Sequence, residues 1–163
     1  MDSRARTPRR PVARGRKLWL TPAVCALLAA PAAAGAVRAS TARTLDLNES
    51  GSLHLTSHHG LTLNEQGSAS GTIRGTIYIH LTVSSTNHVT AEVNIYPSGG
   101  SLTGYASASY RVEGATAHFS GTMSVDRGTG SYSGARGSGL GFNGTVQRDN
   151  DAVTVSLTGR MSD

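Results

Sequence analysis

From Ile73 to Met161 apolar residues return at every second position, and glycine repeatedly takes a place in the same row. Ile73, Ile77, Ile79, Leu81 and Val83 share one parity, while Arg74, Thr76, Tyr78, His80 and Thr82 hold the other. The alternation continues through Val89, Ala91, Val93 and Ile95, then Leu102, Ala106, Ala108, Tyr110 and Val112. Ala117, Phe119, Met123 and Val125 carry it on, followed by Leu140, Phe142 and Val146, and by Val153, Val155, Leu157 and Met161. Successive side chains of a strand point to opposite faces, so this pattern predicts half-buried β-strands. No helical period competes with it after residue 40.

The breaks carry turn chemistry: Ser84-Ser85-Thr86-Asn87, Pro97-Ser98-Gly99-Gly100, Glu113-Gly114, Arg127-Gly128-Thr129-Gly130 and Arg148-Asp149-Asn150-Asp151. Links this short join antiparallel neighbours, since parallel strands need long crossovers. With pieces near 51–57 and 61–70, the count reaches about eight strands. Residues 40–50 read as a loose lead-in, with one alternating piece at Leu45 and Leu47.

Five glycines stand between apolar residues of their own parity: Gly75, Gly104, Gly121, Gly144 and Gly159. Glycine inside a strand costs stability, so the placement calls for a reason. A tightly coiled strand has little room on its concave side, and glycine there permits the bend that closes a small barrel. The expected fold is therefore an all-β antiparallel barrel over residues 51–163, with its apolar face inside. An open sandwich is the alternative.

The chain has 163 residues and a formal charge of +5, but the positive charge is confined to one end. Arg4, Arg6, Arg9, Arg10, Arg14, Arg16, Lys17 and Arg38 precede Ser40. From Ser40 onward seven arginines face nine acids, a net charge of −2. That part lacks the basic stripe that nucleic-acid binding requires. Residues 1–39 have the layout of a signal peptide: a cationic start, the apolar run Leu18–Ala30, and small residues at Ala34-Gly35-Ala36 or Val37-Arg38-Ala39 for cleavage. The run contains Pro22 and falls short of the roughly 20 apolar residues of a membrane span. A secreted protein without a span after cleavage is expected. The single cysteine, Cys25, lies inside the apolar run, so the remaining domain has no thiol for disulfides, metals or nucleophilic catalysis.

Few residues announce chemistry. Gly139-Leu140-Gly141-Phe142-Asn143-Gly144 fits the spacing of a dinucleotide loop, but no βαβ unit surrounds it. Adjacent His58 and His59 point to opposite faces of a strand. His80, His88 and His118 share the polar parity of three strands without diagnostic ligand spacing, so no metal is expected. Glu65 has the parity of Leu61, Leu63 and Ile77, and in an unbroken strand it would point inward as a general acid or base. Asn64-Glu65-Gln66-Gly67 also reads as a turn, which would place Glu65 at the rim; that is the preferred reading. Arg74, Tyr78, Tyr105, Arg111 and His118 occupy the polar face and would line a ligand cavity only if inside and outside were exchanged.

The segment Gly128-Thr129-Gly130-Ser131-Tyr132-Ser133-Gly134-Ala135-Arg136-Gly137 resembles the G-T-G-x-Y/F-x-x-A-x-G signature of dirigent proteins and the related allene oxide cyclase barrels. The strand order around it is also similar, from Gly121–Val125 before the turn to Leu140–Gly144 after it. The resemblance implies an eight-stranded antiparallel barrel, often trimeric, that holds a small apolar molecule and guides its cyclisation or coupling without a bound cofactor. In that family acids and arginines of the cavity steer the reaction. The match here is confined to the glycine turn, where Gly128 and Gly130 have an architectural role. The leading expectation is an exported, non-catalytic barrel that binds a small apolar ligand or a surface partner. A cofactor-free enzyme of the dirigent or cyclase kind, and a structural envelope or adhesion component, are the alternatives.

Overall fold

The computed structural model describes residues 43–162, which form eight antiparallel strands and no helix. They are β1 (Thr44–His59), β2 (Thr62–Gly71), β3 (Gly75–Ser85), β4 (His88–Pro97), β5 (Gly100–Glu113), β6 (Thr116–Gly130), β7 (Arg136–Gln147) and β8 (Ala152–Ser162). Each strand pairs with the next, and β8 pairs with β1 to close the barrel. The open sandwich is therefore not the fold. The leader at residues 1–39 lies outside the described residues.

Closure depends on a segment that the sequence pattern passed over. Residues 44–50, expected as a loose lead-in, are the first part of β1 and pair residue by residue with Ser156–Ser162 of β8. Leu47 and Glu49 face inward and are buried. Polar Asn48, Ser50 and Ser52 are the outward members of the same alternation, interleaved with an acid and a glycine that hide it.

The interior is mainly apolar, with Ile77, Ile79, Val93, Leu140, Phe142 and Leu157 all at most 1% exposed. Glycines make room for large neighbours. A Cβ on Gly121 would lie 2.1 Å from the Ser107 carbonyl oxygen and 2.5 Å from Ala108 Cα. One on Gly144 would fall 2.3 Å from the Phe119 ring, and one on Gly104 2.5 Å from Met123 Cε. Gly75 lies equally close to the backbone of Tyr96. Small and large residues thus alternate around the inside, as the taper of a narrow barrel demands. Gly159 differs: it is exposed, with φ of +142°, and its missing Cβ leaves space for Leu140.

The two ends of the barrel are built differently. At one end the β2–β3 connection folds inward and buries Ile73, while the β6–β7 connection buries Ala135. The glycine-rich segment at 128–137 builds that second plug. Tyr132, Ser133 and Ala135 donate backbone hydrogen bonds to Thr129, Gly130 and Tyr132, and Ser131 donates to Gly99 of the neighbouring turn. At the other end four hairpin turns stand around an opening. Backbone bonds run from Val83 to Leu61, Tyr110 to Asn87, Arg148 to Ala115 and Leu55 to Asp151, at 2.9, 2.9, 2.9 and 3.3 Å. Each turn is thereby tied to the next odd-numbered strand or turn, and the four bonds encircle the mouth.

Candidate functional site

A cavity of about 350 Å³ occupies the open end. Its wall comes from the inward row of six strands: Leu63 of β2, Leu81 and Val83 of β3, Val89 of β4, Tyr110 of β5, Phe119 of β6 and Val146 of β7. Each lies within two inward positions of a hairpin turn. Among the described residues no connection folds over to fill the cavity. Arg148 supplies the only full charge in the lining among the described residues. Leu61, 66% exposed, and Val112, 49% exposed, extend the apolar surface onto the rim.

Directly behind this wall lies a buried acid. Glu65 follows Leu63 in the inward row of β2 and sits between Leu55 of β1 and Ile79 of β3. It is 2% exposed, and neither carboxylate oxygen has a hydrogen-bond partner among the described residues. Desolvation pushes its pKa up to about 7. The turn expected at residues 64–67 is absent, because Asn64 and Gln66 pair with His80 and Tyr78 in regular register and the strand runs on to Gly71. A Cβ on Gly67 would lie 1.9 Å from the Ser52 carbonyl oxygen, so that glycine serves close strand packing and marks no turn.

A second buried acid, Glu49, lies at the plugged end. One of its oxygens accepts a hydrogen bond from the Ile73 amide, and the other has no partner among the described residues. Burial raises its pKa, partly offset by bonds from the Ile73 and Thr72 backbone. Thr72 reinforces the clasp: its hydroxyl accepts from the Asn48 amide and donates to the Asp46 carbonyl. Glu49 was missed because it stands inside the polar run Asn48-Glu49-Ser50. Its parity with Leu45, Leu47 and Leu53 is the signal that would have found it.

The polar-face residues do not line the barrel interior. Arg74, Tyr105 and Arg111 are exposed, and Tyr78 and His118 are half-buried on the outer wall. Inside and outside are thus not exchanged. Arg111 and His118 stand opposite one another on β5 and β6. Both approach Glu113, at 2.7 and 3.8 Å, in an exposed polar cluster. His80 and His88 hydrogen-bond to Asn64 and Ser107. Among the described residues no three metal-ligating side chains gather. No protein-family model, curated protein or solved structure matches the chain.

Proposed function

We propose that this chain is an exported β-barrel module that binds a small apolar ligand at its open mouth without transforming it. The observation that carries this reading is the cavity itself. An apolar space of about 350 Å³, open to solvent and edged by exposed Leu61 and Val112, falls in the size range of small-molecule sites. The ring of hairpin bonds supports a pocket formed before the ligand arrives, which lowers the ordering cost of binding. Arg148 at the edge favours ligands carrying a polar or anionic group at the end left in solvent. The signal-like leader supports export.

Native mass spectrometry of the protein purified from the secreting cell tests the proposal. The expected spectrum shows a chain shortened within residues 34–40 and a retained small-molecule adduct. In Val146→Trp the indole fills the mouth and the adduct is lost. A bare polypeptide from the wild-type cell contradicts the binding role.

Glu65 favours a second reading, a cofactor-free cyclase or coupling enzyme like those that the segment at 128–137 resembles. Such a catalyst works mainly by holding one conformer of its substrate. A carboxyl titrating near pH 7 just behind the pocket is suited to move one proton. On this reading wild-type protein converts the retained molecule and Glu65→Gln holds it unchanged; on the first reading both leave it intact.

A further inference from the structure

The outer wall formed by β2 to β5 carries a second arrangement that the mouth does not use. Strand register lines up Asn64, His80, Glu92 and Tyr105 across four strands, with Tyr78 and Asn94 side by side in the adjoining row. Tyr96 packs edge-on against Tyr78, ring centroids 5.6 Å apart at 85°. A shallow cleft of about 380 Å³ lies between Tyr78, His80, Asn94 and Tyr96. Tyr96 and Tyr105 are 50% and 51% exposed, although aromatic rings of this size ordinarily find cover.

The polar side chains around these rings are fixed in advance. Asn64 donates its amide N–H to Ser57 Oγ at 3.0 Å, which turns its carbonyl oxygen towards His80 Nδ1 at 2.6 Å. His80 Nδ1 then donates, and Nε2 is left as an acceptor. Asn94 donates to Glu92 Oε1 at 3.0 Å and accepts from Thr103 Oγ1 at 2.8 Å. Each amide is thereby oriented with one donor and one lone pair to spare, and Glu92 retains its second oxygen.

Flat aromatic faces beside oriented neutral donors and acceptors suit one kind of ligand. A sugar ring has an apolar C–H face that stacks on tyrosine and hydroxyls at its edge that bond to amides, imidazole and carboxylate. Glu92 disfavours an anionic polymer, and within β2 to β5 no lysine or arginine stands in the two rows to bind phosphate. We propose that this wall is a binding site for a neutral polysaccharide, with the rings of Tyr96 and Tyr105 as stacking platforms and Asn94, His80 and Glu92 reading hydroxyls. The proposal stands apart from the mouth and does not depend on it.

Affinity electrophoresis of the purified protein tests it, in native gels containing hydroxyethyl cellulose, galactomannan or pullulan. The expected result is retardation in at least one gel, reduced about fivefold in apparent affinity by Tyr96→Ala and by Tyr105→Ala. Asn94→Ala weakens it as well, whereas Val146→Trp at the mouth leaves it unchanged. Both tyrosines are exposed, so their loss leaves the core intact. Equal mobility in all three gels overturns the proposal. So does a wild-type dimer that Tyr96→Ala converts to monomer without any retardation, which would make the wall a protein contact.

Discussion

Two buried carboxyl groups, Glu65 and Glu49, set the pH response of this barrel. Glu65 holds its proton up to about pH 7 in the fold, whereas in the unfolded chain it ionises near 4.5. Below pH 4.5 both states are protonated and burial costs no ionisation. Between there and pH 7 the unfolded chain releases its proton first, so stability falls as pH rises, and above pH 7 the curve flattens. The shift corresponds to about 3 kcal/mol. Glu49, raised in the same direction, adds to the fall. Urea unfolding at pH 5 and pH 8 should show the wild type less stable at the higher pH, and Glu65→Gln should remove most of that difference. An unchanged difference would mean that Glu65 is solvated.

Glycines at the same scale separate two costs. Gly121→Ala forces a methyl into the backbone of β5, and a loss of about 3 kcal/mol is expected. Gly60 in the β1–β2 turn has φ of +60° and open space around it. Gly60→Ala therefore meets only the left-handed strain, about 1 kcal/mol. Urea midpoints should rank the two in that order. A reversed order would mean that β5 and β6 stand further apart at Gly121 than their register requires.

At the scale of elements, the β2–β3 connection is a plug held by a side chain. Ile73 stays buried because its amide is bound by Glu49 and Thr72 is clasped to β1. Glu49→Ala should release the Ile73 amide to hydrogen exchange at least tenfold faster, with amides of β4 and β5 still protected. Equal loss of protection throughout would show that the plug and barrel open together.

Strand parity was readable wherever apolar residues filled the inward row, which is why β3 to β8 were legible. It is weaker where inward places hold acids and glycine: the pieces near 51–57 and 61–70 still read as strands, but the 44–50 part of β1 does not. β1 places Glu49 and Gly51 inward, and β2 places Glu65 and Gly67 there, so both lost their apolar signature. Parity points Glu65 inward, and the turn that Asn64-Glu65-Gln66-Gly67 suggests is ruled out by its neighbours' pairing. The mouth was not legible, because an opening depends on which connections fold inward. Neither Ile73 nor Arg148 reveals that in sequence.

Taken together, the described residues form a closed barrel with one plugged end and one open, apolar end. The encircling hairpin bonds make the mouth a fixed shape, and its lining leaves hydrophobic surface exposed that a ligand would cover. Titration with 2-naphthol, followed by backbone amide shifts in solution, addresses this account most directly. Saturable shifts confined to the mouth, around Leu63, Val89, Phe119 and Val146, with none at Ile73 or Ala135, are the result it predicts. Shifts centred on the plugged end, or none that saturate, would contradict it.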